Sequence, residues 1–146
     1  AARGSGGWLV GASPELLVRK QGRTVTCHPY AGSAPRSADP ATDRAAADAL
    51  AASAKDRTEH AFVVDYLRDR LASHCVEITV PPSPELRSTG EIWHLATPIH
   101  GTLRDEDMTA LDLALLLSPT PAVCGTPSDL AARFIRDVEG ERGLYG

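Results

Sequence analysis

Lysine is scarce in this chain of 146 residues: 13 of the 15 basic residues are Arg, leaving only Lys20 and Lys55. Aromatic residues make up 5%, and the three cysteines, Cys27, Cys75 and Cys124, form no CxxC pair. They read as free thiols in a reducing compartment. The longest apolar run, Leu113 to Leu117, is far short of the roughly 18–20 residues that span a bilayer. No charged segment runs into an apolar stretch as a secretory signal would, so the expected setting is the cytoplasm, away from membranes. A net charge of −4 argues against a nucleic-acid partner, which calls for a basic patch. GxGxxG, P-loop, HExxH and GxSxG patterns are all absent, which leaves Rossmann hydride transfer, P-loop phosphoryl transfer and the commonest zinc peptidase without support.

What is present looks globular, with 42% hydrophobic and 23% charged residues, close to an average domain. Trp8 to Ala12 reads as a buried strand, Leu16 to Val18 as a short one, and Arg23 to Cys27 as a half-buried one after the Gln21-Gly22 turn. Pro29 to Pro35, rich in breakers, reads as a loop. Asp39-Pro40 pairs an N-cap acceptor with a first-turn proline and starts an Ala-rich helix to about Ala52. A second helix runs from about Lys55 to Ser73, with Phe62, Val63, Tyr66, Leu67 and Leu71 as its apolar stripe. Strands follow at Val76 to Val80 and within Ile92 to Ile99. Met108, Leu111 and Leu115 mark a helix that stops at Pro119. Thr126 to Asp129 resembles a capping box and opens a last helix with Ala131, Phe134, Ile135 and Val138 on one face. Mixed strands and helices without repeats or a linker give one domain of α/β (α+β) class. Nothing in the sequence sets its oligomeric state.

Glu59 is the most informative residue. Phe62, Val63, Tyr66 and Leu67 follow at i+3, i+4, i+7 and i+8, so Glu59 is expected on the apolar side, where a carboxylate must be paired, protonated or bound to a metal. Lys55, four residues earlier, offers an ion pair, and a hard cation such as Mg²⁺ offers the alternative. Glu15 is either a solvated turn residue or a general acid among apolar neighbours. Gly32 and Ser33 sit in a loop that either makes an ordinary turn or offers N–H groups to an anion. His94 reads as a satisfied core histidine, and His28, His60, His74 and His100 as surface or turn residues. The proline-rich stretch 119–127 reads as a stiff wall for packing or for a pocket. Cys124 reads as a small hydrophobe.

Taken together, GASPELL (11–17), PYAGSAPR (29–36), ALAASAKDRTEHAFVVD (49–65), IWHLATPIHG (92–101), SPTPAVCGTP (118–127) and GERGLYG (140–146) resemble the chorismate-utilising enzymes, and among them the isochorismate-forming branch. The resemblance covers almost the whole chain. It implies the mixed-sheet fold of that family and Mg²⁺-dependent conversion of chorismate to isochorismate, with water added at C2 and the hydroxyl lost from C4, in siderophore-type synthesis of 2,3-dihydroxybenzoate or salicylate. Within it, Glu15 matches the general acid and Glu59 one of two glutamates that hold Mg²⁺. Gly32, Ser33, His94, Ala122, Val123 and Tyr145 match positions that line the substrate site. Ala122 favours the isochorismate-forming branch, since salicylate-forming relatives tend to carry Thr there.

The departures are as informative. The family's water-activating lysine lies upstream of this stretch; neither Lys20 nor Lys55 occupies that motif. The second metal glutamate and the substrate-gripping arginine lie downstream. Residues 1–146 are therefore expected to be the middle of a longer protein and to be inactive alone. The alternatives are a salicylate synthase, an amine-adding relative such as anthranilate or aminodeoxychorismate synthase, and a non-catalytic chorismate-binding remnant.

Overall fold

In the computed structural model, which describes residues 2–4, 7–11, 15–140 and 142, strands β1 (Ala2–Gly4) and β2 (Gly7–Leu9) form an antiparallel ribbon. Trp8 and Val10 are 67% and 76% exposed. The expected buried strand thus ends at Leu9, and Trp8 and Val10 face solvent instead of a core; Ala12 lies outside the described residues. Leu16 to Val18 is not a strand. Leu17 and Val18 instead pack irregularly against the core, and pairing begins at β3 (Arg19–Gln21), which turns through Gly22 (φ +56) into β4 (Thr24–Cys27).

The stretch expected to be a loop is strand β5 (Tyr30–Pro35). Its proline closes the strand, and its Gly32 sits at a bulge with φ +69, a conformation glycine adopts freely. Helix α1 (Pro40–Ala52) starts as expected, Asp39 accepting from the Thr42 N–H at 2.9 Å with Pro40 in the first turn. Ser53 ends α1 and caps α2 (Ala54–Ala72). Then follow β6 (Cys75–Thr79), β7 (Glu85–Thr89), β8 (Ile92–Ala96), β9 (Ile99–Leu103), α3 (Ala110–Leu117), α4 (Pro121–Cys124) and α5 (Ser128–Glu139).

Two antiparallel sheets carry the site. One has the order β3-β4-β9-β6 and the other β5-β8-β7. Helix α2 and the buried side of α3 close the first sheet. Val63, Val64, Leu67, Leu71, Leu113 and Leu117 meet Val25, Cys27, Cys75, Ile99 and Leu103 in one buried cluster. Each such aliphatic side chain contributes roughly 1.5–3 kcal/mol by leaving water. Burial pushes the Cys27 thiol up to about 12, so it is a protonated core group. In α3 the buried residues are Leu113 and Leu117, while Leu111 and Leu115 are 67% and 70% exposed. The buried face thus differs from the expected one, and the capping box of Thr109 and Asp112 starts the helix after Met108, which packs against the core from outside it. Thr126 to Asp129 makes no such box: α5 is capped by Pro127 without a side-chain bond. No helix among the described residues is long and apolar enough to cross a membrane.

Helix α1 covers the second sheet through a polar seam. Arg36 donates to both Asp43 oxygens, at 2.8 and 3.0 Å, and stacks over the Trp93 ring at 4.2 Å. Trp93 Nε1 also donates to Asp43 Oδ1 at 3.0 Å. Strand alternation then puts Trp93 and Leu95 on the helix side of this sheet and His94 on the other.

Candidate active site

The sheet-facing stripe of α2 is His60, Val63, Val64, Leu67 and Leu71, a rotation away from the expected one. His60 is 2% exposed, with Nε2 2.7 Å from Thr97 Oγ1 at the β8–β9 connection. It is neither a surface nor a turn residue, and burial lowers its pKa, so the ring is neutral. Its spacing to Val64, Leu67 and Leu71 at i+4, i+7 and i+11 was the signal for this face. Because His60 occupies the interior, Glu59 does not. The Glu59 side chain is 54% exposed and pairs with Lys55 Nζ at 3.1 Å, so the ion-pair reading holds and the inward-facing one is corrected. Glu59 raises the pKa of Lys55 by hydrogen bonding and by its charge.

Glu59 nevertheless borders a cavity of about 380 Å³ with Ala31, Phe62, Val63, Pro121, Ala122, Gly125 and Thr126. A second cavity of about 230 Å³ is lined by Glu15, Leu16, Leu17, Pro29, Val63, Leu67, Ser118, Thr120, Ala122 and Val123. The two share Val63 and Ala122. A mostly apolar trough therefore has one carboxylate at each end, Glu15 and Glu59. Glu15 Oε1 accepts from the Tyr30 N–H at 3.0 Å. The stretch expected to be a stiff wall is one, but its middle is helical: α4 presents Ala122 and Val123 outward, Val123 being 73% exposed. Gly125 (φ +92) turns the chain where a Cβ would come within 3.2 Å of Ala131.

Ser33 and His94 are brought together as well, directly opposite each other across β5 and β8. Ser33 Oγ lies 3.1 Å from His94 Nδ1, and Thr89 Oγ1 lies 2.8 Å from Nε2. His94 is thus a half-buried strand residue on the outer sheet face rather than a core one. The Tyr30 ring joins this face to Glu15: its centroid is 5.4 Å from His94 and 4.9 Å from His28, while its amide holds the Glu15 carboxylate. Gly32 has a packing role. A Cβ there would lie 2.9 Å from Asp56 Cβ, so only glycine lets β5 approach the first turn of α2. Tyr145 lies outside the described residues. Thr89, Tyr30 and Thr97 were not read as site residues from sequence; Thr89 and Tyr30 depend on strands that the composition hides.

Among the described residues no three His, Cys, Asp or Glu side chains gather to hold a metal ion. Glu59 supplies one hard oxygen donor, already paired with Lys55, in a cavity otherwise lined by apolar groups, Thr126 and glycine. Mg²⁺ takes about six oxygen ligands in octahedral geometry. The residues present therefore do not form a complete Mg²⁺ site.

The model of the family described as chorismate binding enzyme matches residues 1–146. MenF of Mycobacterium tuberculosis, assigned as an isochorismate synthase, is 54% identical over 141 residues, covering 97% of this chain and 38% of the relative. Isochorismate synthase DhbC of Bacillus subtilis is 49% identical over 138 residues, covering 94% and 35%. The crystal structure of DhbC from Bacillus anthracis, assigned as a 2,3-dihydroxybenzoate-specific isochorismate synthase, superposes with a TM-score of 0.83 at 44% identity, over 90% of this chain and 35% of that one. The chain spans little more than a third of the length of these relatives, and within that span the family model matches throughout and the fold superposes: it belongs to the chorismate binding enzyme family.

Proposed function

We propose that the protein containing residues 1–146 is an isochorismate synthase. The observation that carries this reading is the trough with Glu15 at one end and Glu59 at the other, Ala122 between them, in a chain 49% identical to a named isochorismate synthase. Water adds at C2 of the ring and gives up a proton to a base; the double bonds shift; the C4 hydroxyl takes a proton and departs as water. Glu15 is positioned for the second transfer, its carboxyl oriented by the Tyr30 amide, which donates to Oε1 at 3.0 Å. The small Ala122 leaves room for the ring. Gly32, Ser33, His94, Val123 and Tyr145 are the further substrate contacts in this reading.

Glu59 is proposed as one of the Mg²⁺ ligands, the remainder coming from water, from substrate and from residues outside 1–146. Held there, the ion would supply positive charge to an anionic substrate. Both lysines of this chain are engaged elsewhere, Lys20 with the Glu106 carbonyl at 3.0 Å and Lys55 with Glu59, so the base is also sought outside 1–146 and these residues alone are expected to be inactive. The likeness to DhbC supports a product directed to siderophore-type 2,3-dihydroxybenzoate synthesis; salicylate is the other destination in this reading, and the cytoplasm its proposed setting.

The test is a product assay on the complete gene product with chorismate and Mg²⁺, resolved by chromatography. Isochorismate is expected, with a loss of at least a hundredfold in Glu15→Gln and Glu59→Ala and complete loss with EDTA. Salicylate with pyruvate, or an amine-dependent product, moves the protein to another branch of the family. Tight chorismate binding without turnover makes it a binding protein.

A further inference from the structure

Both ring nitrogens of His94 are occupied by hydroxyl groups from its two neighbouring strands. Ser33 lies directly opposite on β5, and Thr89 lies diagonally across on β7, two residues beyond Arg87, the residue that pairs with His94. On one sheet face such neighbours are within side-chain reach. The two contacts differ: Nε2 to Thr89 Oγ1 is 2.8 Å and Nδ1 to Ser33 Oγ is 3.1 Å. Ser33 is exposed. Tyr30 lies against the imidazole at 5.4 Å, and its own amide holds Glu15. A hydroxyl can donate or accept, so each suits a neutral imidazole, and the nitrogen with the firmer partner sets the ring orientation.

We propose that Thr89 is a positioning residue: it anchors Nε2 of His94 and so presents Nδ1, covered only by the exposed Ser33 hydroxyl, to the bound ligand. This rests on the isochorismate synthase reading for what the ligand is. Ser33 then acts as a cap that moves aside or passes the contact on. The charged groups on this face are Arg87 and Glu85, paired with each other at 2.7 Å; His28 lies 4.0 Å from Glu85. None of these three makes a hydrogen bond to a ring nitrogen of His94, whose contacts are Ser33 and Thr89. Thr89 ends β7 beside the Gly90-Glu91 turn and is exposed, so Val, equally β-branched, preserves the strand while removing the hydroxyl.

The experiment uses the complete gene product with ¹⁵N-labelled histidine, comparing wild type, Thr89→Val, Thr89→Ser and Ser33→Ala. In wild type the His94 nitrogens are expected to show one dominant tautomer. In Thr89→Val their shifts move toward the averaged position of a free imidazole, kcat falls about tenfold, and the melting temperature stays within about 2 °C. Thr89→Ser restores both shifts and rate to within twofold. Ser33→Ala leaves the Nε2 shift in place. The proposal is overturned if Thr89→Val leaves shifts and kcat within twofold of wild type, or if Thr89→Ser is as damaging as Thr89→Val. Should the wild type make no isochorismate, the function reading falls, while shifts lost in Thr89→Val and restored in Thr89→Ser still uphold the anchor.

Discussion

Helices α2 and α5 are both amphipathic, and they end in opposite situations. The stripe of α2 is sealed: Leu67 is 1% exposed and Leu71 fully buried. On α5, Leu130, Phe134 and Val138 recur at i, i+4 and i+8, a cleaner pattern than that of α2, yet they are 66%, 68% and 66% exposed. Periodicity states that a helix has an apolar face; it does not state what covers it. Among the described residues the two sheets supply a cover for α2, while α5 meets α4 and leaves its stripe open. The trough between Glu15 and Glu59 lies where the sealed part gives way to the open one, with Val63 from α2 on one side and Ala122 from α4 on the other.

The largest expected effect tests the sealed side. Leu71→Ala removes a fully buried side chain and should destabilise by about 2–5 kcal/mol, read by denaturant unfolding. A cost under about 1 kcal/mol would show that the α2 seam is loose and the contrast with α5 unfounded. Gly101→Ala comes next. Its Cβ would stand 2.8 Å from Cys75 Sγ and 3.1 Å from Val25 Cγ1, in the middle of the β3-β4-β9-β6 sheet. Overpacking of this kind costs about 1–3 kcal/mol. A neutral result would mean that β9 can shift and that the seal does not depend on close strand packing.

The fold was legible wherever local chemistry and tertiary packing agree. Asp39-Pro40 specifies its helix start locally, and the alternation in Arg23 to Cys27 marks a strand whose Val25 and Cys27 are fully buried. Strand β5 was not legible because its Pro, Gly and Ser content argues against a strand; pairing with β8 overrides that preference. Strand β7 is an edge strand with mostly exposed residues, so no apolar period announces it, and Thr89 was missed with it. The carboxylates were legible as candidates, since Glu15 sits in a turn and Glu59 beside an apolar stripe. The rotation of α2 was legible only through His60. Taking Phe62 as interior put Glu59 inside; the i+4, i+7 and i+11 spacing from His60 gives the true face. The hydrogen bond between His60 Nε2 and Thr97 Oγ1 explains why a histidine, rather than a hydrocarbon, occupies that position.

A polar seam can also be compared with the apolar ones. Asp43 joins α1 to the second sheet, and hydrogen bonds from Arg36, with help from Ser37 and Trp93, hold its pKa down at about 2 from an ordinary 3.8. A carboxylate depressed on folding adds stability that is fully present above its unfolded pKa and lost as pH falls through the folded one. Wild type should therefore melt above Asp43→Asn at neutral pH, with the gap narrowing below about pH 4 and closing near pH 2. A gap that stays constant with pH would assign the seam to the stacking of Arg36 on Trp93 rather than to the charge.

The smallest expected effect is on the open side. Phe134→Ser, measured on residues 1–146, removes an aromatic ring that is 68% exposed. With so little area withdrawn from water, the change in unfolding free energy should stay within about 0.5 kcal/mol, as for surface substitutions in general. The same substitution in the complete gene product supplies the comparison, because the curated relatives extend well beyond the stretch matched here. If further chain seats against Leu130, Phe134 and Val138, the cost rises there to several kcal/mol, as for a buried aromatic. Equal small costs in both would leave α5 an exposed helix in the whole protein. The position of α4, and with it the Ala122 wall of the trough, would then be held by the contacts of α4 with α2 and α5 within residues 1–146.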